Sequence, residues 1–181
     1  MDRVKGKRVL IMATDGFEEW ELFGPRQILM GEGAKVVLAS PTLSPIQATV
    51  RDDPGRTIRP DLLIEDARAD DFDALILPGG LRNPDQLRTH QGAIALIREF
   101  DAQSKPIGAI CHGPWLLAEA DVLRGRNATS WPSIRTDLRN AGASVSDETA
   151  VTDGHLVTSR NPDDVEAFTA ALIDLLEQGP A

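Results

Sequence analysis

The chain has 181 residues, 19 Lys and Arg against 28 Asp and Glu, a formal charge of −9, 41% hydrophobic residues and one cysteine. That length suits a single domain over residues 1–181, and the balance is too apolar for intrinsic disorder and too charged for a membrane protein. One cysteine excludes an internal disulfide and a multi-cysteine metal cluster, and a carboxylate excess without a basic block argues against nucleic acid or anionic membrane as partners.

The basic start M-D-R-V-K-G-K-R is followed by only a short apolar run, residues 9–13. A secretory core needs roughly 7–15 apolar residues and a membrane helix about 18 or more. The expectation is a soluble, cytoplasmic protein, a setting that suits an unpaired thiol.

Short apolar runs at 8–13, 35–39, 74–77 and 106–110 read as buried strands, apolar on both faces as a helix-covered parallel sheet requires. Between them, residues 18–31 read as a helix closed by Gly31-Glu32-Gly33, with Pro25 predicting a kink or two pieces. Residues 91–103 place Ile94, Ile97 and Phe100 on one helical face, and 114–120 follow the fourth strand directly. Residues 163–178 set Val165, Phe168, Leu172 and Leu175/Leu176 at helical spacing. Stretches 41–70 and 144–160 alternate polar and apolar, with turn signals at Asp53-Pro54-Gly55 and Asp153-Gly154, and read as antiparallel additions or edge strands. The order predicts an open, doubly wound α/β sandwich, a mostly parallel sheet with helices on both faces. Sites in such folds lie at the C-terminal strand ends, here 15–19, 78–80 and 111–114.

Gly108-Ala109-Ile110-Cys111-His112-Gly113-Pro114 has the pattern of a nucleophile elbow, a strained strand-to-helix turn that demands small residues two before and two after the nucleophile. Ala109 and Gly113 meet that demand, and a helix N-terminus favours thiolate over thiol. The bland alternative is a small core residue, the commoner fate of a free cysteine. Pro78-Gly79-Gly80 would let backbone N–H groups approach a ligand, so Gly79 or Gly80 with the His112 N–H forms a candidate oxyanion hole. Glu18 and Glu19 end the first site segment. A glutamate in a first helical turn is commonly dipole complementation, but burial beside a thiolate would raise its pKa toward neutrality and make it an acid/base. Adjacent turn residues point apart, so the His112 ring need not reach the Cys111 sulfur. Trp20 and Trp115 are candidates for an apolar pocket rim or for core anchors. Three scattered histidines without ligand spacing give no metal site, and no dinucleotide or phosphate-loop motif implies a cofactor.

Taken together, D-G-F-E-E-W-E-L at 15–22, F-D-A-L-I-L-P-G-G at 72–80, K-P-I-G-A-I-C-H-G-P at 105–114, L-R-G-R-N-A-T-S at 123–130 and V-T-S-R-N-P-D-D at 157–164 resemble the ThiJ/PfpI superfamily, from about residue 7 to 176. The resemblance implies a flavodoxin-like sandwich, Cys111 as nucleophile and Glu18, directly after the Phe position, as its carboxyl partner. In PfpI-like members the His beside the Cys pairs with an acid from a neighbouring subunit in the loop after P-G-G. Here that loop is a residue longer and offers Asp85. Members are commonly dimers or larger, so a homo-oligomer is expected.

The expected activity is a cofactor-independent stress-response reaction on reactive carbonyls, of glyoxalase or deglycase type, with a small carbonyl compound or a glycated protein as partner. A PfpI-type cysteine peptidase and a redox sensor working through Cys111 oxidation are the alternatives.

Overall fold

The computed structural model describes residues 2–179. In chain order the strands are β1 (Arg8–Met12), β2 (Phe17–Glu18), β3 (Lys35–Ser40), β4 (Ile46–Val50), β5 (Asp53–Ile58), β6 (Leu62–Leu63), β7 (Ala74–Leu77), β8 (Ile107–Ile110), β9 (Asn127–Ala128), β10 (Ser144–Val145), β11 (Ala150–Asp153) and β12 (Leu156–Ser159). The α-helices are α1 (Glu19–Gly31), α2 (Arg82–Leu87), α3 (Gln91–Ala102), α4 (Pro114–Glu119), α5 (Arg135–Asn140) and α6 (Val165–Gln178).

Seven strands form the central sheet in the order β11-β12-β8-β7-β1-β3-β6. All of its pairings are parallel except β11 with β12. The four apolar runs supply its middle, and their alternation divides the core. Leu10, Met12, Leu75 and Leu77 pack with Ile97 and Phe100 of α3 and Leu116 of α4. Val9, Ile11 and Ile76 pack on the other face with Leu22 and Leu29 of α1 and Phe168 and Leu172 of α6. Both faces are dry, which is why these strands carry no polar alternation. The result is the expected flavodoxin-like sandwich, with β1, β7 and β8 adjacent so that their C-terminal ends share one rim.

The departures from the sequence reading have local causes. Helix α1 runs unbroken through Pro25, whose missing N–H leaves only the Glu21 carbonyl without its helical donor. Asp53-Pro54-Gly55 lies within β5, and the turn falls one step earlier, at Arg51-Asp52, with Arg51 at φ 57°. Proline is tolerated there because β5 is the outer strand of the small β2-β4-β5 sheet. Strand β12 is internal and parallel to β8, leaving β11 as the antiparallel edge of that side. Residues 162–164 form a 3-10 turn ahead of α6. The segment after P-G-G, read as a loop, is helix α2, and a further short helix, α5, follows β9.

Candidate active site

Strand β8 ends at Ile110, and Cys111 takes φ 62°, the left-handed region that a non-glycine residue enters at a cost of about 1–3 kcal/mol. Two backbone bonds hold it there: its N–H donates to the Ser159 carbonyl at 3.0 Å, and its carbonyl accepts from the Trp131 N–H at 2.9 Å. The glycine two residues on is sterically required. A Cβ on Gly113 would overlap the Leu77 carbonyl oxygen and lie 2.9 Å from that of Ile110. Cys111 is therefore the elbow residue, and its side chain is buried rather than displayed.

The carboxyl group beside it belongs to Glu21, not Glu18. Glu18 ends β2 and turns outward, its Oε2 accepting from the Arg51 N–H at 3.2 Å. Glu19 likewise binds Arg56, through the backbone N–H at 2.6 Å and Nε at 3.0 Å. Glu21 is 0% exposed and sits on the inward stripe of α1 with Leu22, Pro25 and Leu29. Its Oε2 accepts from the Gly79 N–H at 2.8 Å. The sequence carries a signal for this in the helical spacing 21, 22, 25, 29, which puts Glu21 on the apolar stripe of α1 and leaves Glu18 and Glu19 off it.

Glycine is obligatory in the turn that joins these groups. A Cβ on Gly79 would lie 2.5 Å from Glu21 Oε2 and 2.7 Å from the Cys111 Cβ, so this residue is wedged between carboxyl and thiol. Because its N–H is taken by Glu21, Gly79 is not free to serve an oxyanion. The backbone N–H groups of Gly80 and His112 approach the sulfur and favour its anion.

Full burial pushes the Glu21 carboxyl well above the usual carboxylate range, against the opposing Gly79 N–H bond. Burial also pushes the Cys111 thiol up, and the charge of an ionised Glu21 adds to that. Each group's negative charge opposes the other's, so they titrate as a pair. A neutral Glu21 relieves the thiolate of its nearest like charge and leaves a carboxylic proton beside the sulfur. A folded-state value raised above the ordinary 4.5 stabilises the fold at low pH and loses that contribution as pH rises through the raised value. Accordingly, wild type should lose more stability than Glu21→Gln between pH 5 and 8, read by urea unfolding at both. Equal losses would contradict a buried, proton-holding Glu21.

The His112 ring does reach the sulfur, with Nδ1 3.3 Å from Sγ. Burial lowers its pKa and favours the neutral imidazole. Its other neighbours are Trp115, edge-on at 5.2 Å between ring centroids, and Trp131, stacked at 5.9 Å. Trp115 is anchored by its Nε1–H to Asp137 at 2.8 Å. The second aromatic wall is thus Trp131, while Trp20 lies along α1 over Gly24, beside Val165 of α6. Asp85 is exposed on α2, and among the described residues no carboxylate pairs with the His112 ring.

The model of the DJ-1/PfpI family matches residues 7–175. The chain belongs to that family. A Pyrococcus abyssi protein named a deglycase is 40% identical over 170 residues, covering 94% of this chain and 99% of its own. YraA of Bacillus subtilis, whose provisional name is cysteine protease, is 38% identical over 173 residues, 94% of this chain and 99% of its own. The crystal structure of Drosophila melanogaster DJ-1beta superimposes with a TM-score of 0.86 at 31% identity, covering 94% of this chain and 91% of that one.

In this DJ-1/PfpI chain the thiol and its carboxyl lie beneath the C-terminal rim of the sheet, 5% and 0% exposed. A cleft of about 430 Å³ lined by Gly16, Arg51, Leu81 and Arg82, among others, adjoins the Gly80 turn. Among the described residues, no helix is long and apolar enough to cross a membrane, and no group of three or more His, Cys, Asp or Glu is arranged to hold a metal ion.

Proposed function

We propose that the protein is a cysteine-dependent enzyme that detoxifies reactive carbonyls under stress, of glyoxalase or deglycase type. The observation that carries this reading is the single thiol paired with one buried carboxyl, flanked by the Gly80 and His112 N–H groups. The Cys111 thiolate adds to the aldehyde carbon of a dicarbonyl such as methylglyoxal, forming the C–S bond as the carbonyl electron pair moves to oxygen. Gly80 and His112 hold that oxyanion, which takes the Glu21 proton. The Glu21 carboxylate then removes the hydrogen on the sulfur-bearing carbon as a proton and returns it to the adjacent carbon through an enediol, leaving a thioester. Water cleaves the C–S bond to release the hydroxy acid and the free thiol. With a glycated amine, whose former aldehyde carbon bears a hydroxyl and the nitrogen, the thiolate displaces the nitrogen as the C–S bond forms and the C–N bond breaks, the amine leaves with the Glu21 proton, and the resulting hemithioacetal follows the same course. The name of the Pyrococcus abyssi relative supports the deglycase variant.

Lactate formation from methylglyoxal by wild type, Cys111→Ala and Cys111→Ser tests the reading. Turnover by wild type only is expected, and wild-type output no greater than Cys111→Ala overturns it. The 3.3 Å contact between Cys111 and His112 favours a second reading, a cysteine peptidase in a homo-oligomer where Asp85 reaches His112 of a second copy. Cleavage of unfolded casein by wild type but not by Cys111→Ser would select it.

A further inference from the structure

Asn83 is 0% exposed, although it lies in a segment that reads as a polar loop. Its Oδ1 accepts from the Thr14 N–H, just past β1, at 2.8 Å. Its Nδ2 donates to the Pro78 and Gly79 carbonyls, each at 3.0 Å. Three of the amide's four hydrogen-bonding directions are thus taken up, all by backbone, and both donors serve consecutive peptides. Those two peptides are the ones that face the reactive pair. The Gly79 N–H shares its plane with the Pro78 carbonyl, and the Gly80 N–H shares its plane with the Gly79 carbonyl. In a trans peptide the carbonyl and N–H point to opposite sides, and no cis bond occurs among the described residues. Holding both oxygens on the Asn83 side therefore sends both N–H groups the other way.

We propose that Asn83 is the positioning residue of this site, clamping the Pro78–Gly79 and Gly79–Gly80 peptides so that one N–H meets the Glu21 carboxyl and the next meets the Cys111 sulfur. Asn83 touches neither the sulfur nor a substrate. It acts through the turn and sets how readily Cys111 ionises. The Thr14 bond ties this turn to the end of β1, so that the rims of β1 and β7 hold a fixed separation across the site.

The test needs no substrate, so failure of the carbonyl reading would leave it standing. Because Cys111 is the sole cysteine, its alkylation rate by iodoacetamide against pH reports its ionisation directly. Asn83→Asp keeps shape and the acceptor for Thr14 but has no donor for the two carbonyls, and Asn83→Ser is a neutral variant that reaches neither. For both, the midpoint of the profile should rise by about one pH unit, with alkylation at neutral pH slowed about tenfold. A purely structural role would lower the melting temperature and leave the midpoint in place. A folded variant with the wild-type midpoint overturns the proposal. Should neither variant fold, NMR of the wild type decides. Alkylating Cys111 should move the Asn83 side-chain amide resonances together with the Gly79 and Gly80 amides, and unmoved Asn83 signals overturn it.

Discussion

Glu21→Gln is expected to lower carbonyl turnover by about 10²–10⁴-fold, the usual contribution of a positioned acid/base. Glu18→Gln should leave turnover within a few-fold of wild type. The two glutamates lie three residues apart, yet one is fully buried against Gly79 and the other binds the Arg51 N–H at the surface. Glutamine is nearly isosteric at position 21, so its carbonyl can still accept from Gly79 while its amide fills the space beside the sulfur. What it cannot do is give up and recover a proton at the substrate carbon. The expected signature is a fall in kcat with little change in KM, because the proton is needed only as the bonds rearrange. If Glu18→Gln were the inactive variant and Glu21→Gln the active one, the assignment of the carboxyl would be reversed.

The second large effect concerns the turn itself. Gly80→Ala should destabilise the protein by more than about 3 kcal/mol, in the range reserved for steric conflict at a special backbone position. Gly80 has φ 76°, and a Cβ there would overlap the Gly16 carbonyl oxygen and lie 2.7 Å from the Glu18 nitrogen and 2.9 Å from the Phe17 carbonyl carbon. All three are backbone atoms, which cannot swing aside as a side-chain end does. Gly125 is the matched control, at φ 75° with nothing within 4 Å of its Cβ position. Gly125→Ala should show only the intrinsic left-handed penalty of about 1–2 kcal/mol. Urea unfolding of both variants separates the dihedral cost, common to the two, from the close approach of β2 to the turn after β7. Equal destabilisation would mean that the turn relaxes freely away from β2. Where Gly80→Ala does fold, slower Cys111 alkylation at neutral pH is expected, since the displaced N–H is one of two that favour the thiolate.

Much of this protein is determined by residue order alone. The four apolar runs specify buried parallel strands because only strands covered on both faces lack polar alternation, and β1, β3, β7 and β8 fall where those runs do. Ala109 and Gly113 around Cys111 carry the pattern of the elbow, and at Gly113 a Cβ would overlap the Leu77 carbonyl oxygen at the end of β7. These are local or strictly periodic signals.

What the chain order left open depends on contacts between distant segments. Three glutamates in four positions offer the same chemistry, and only the packing of α1 against the Gly79 turn buries Glu21 while Glu18 and Glu19 bind Arg51 and Arg56. Trp20 and Trp131 are alike as residues, and only the fold brings residues 131 and 112 into stacking. Asn83 sits in a polar stretch, and nothing in its neighbours tells that α2 turns its amide inward to hold two peptides of the preceding turn. Periodicity records which side of an element is buried. It carries no record of which group on another element waits there, and in this protein that pairing decides which carboxyl serves the thiol.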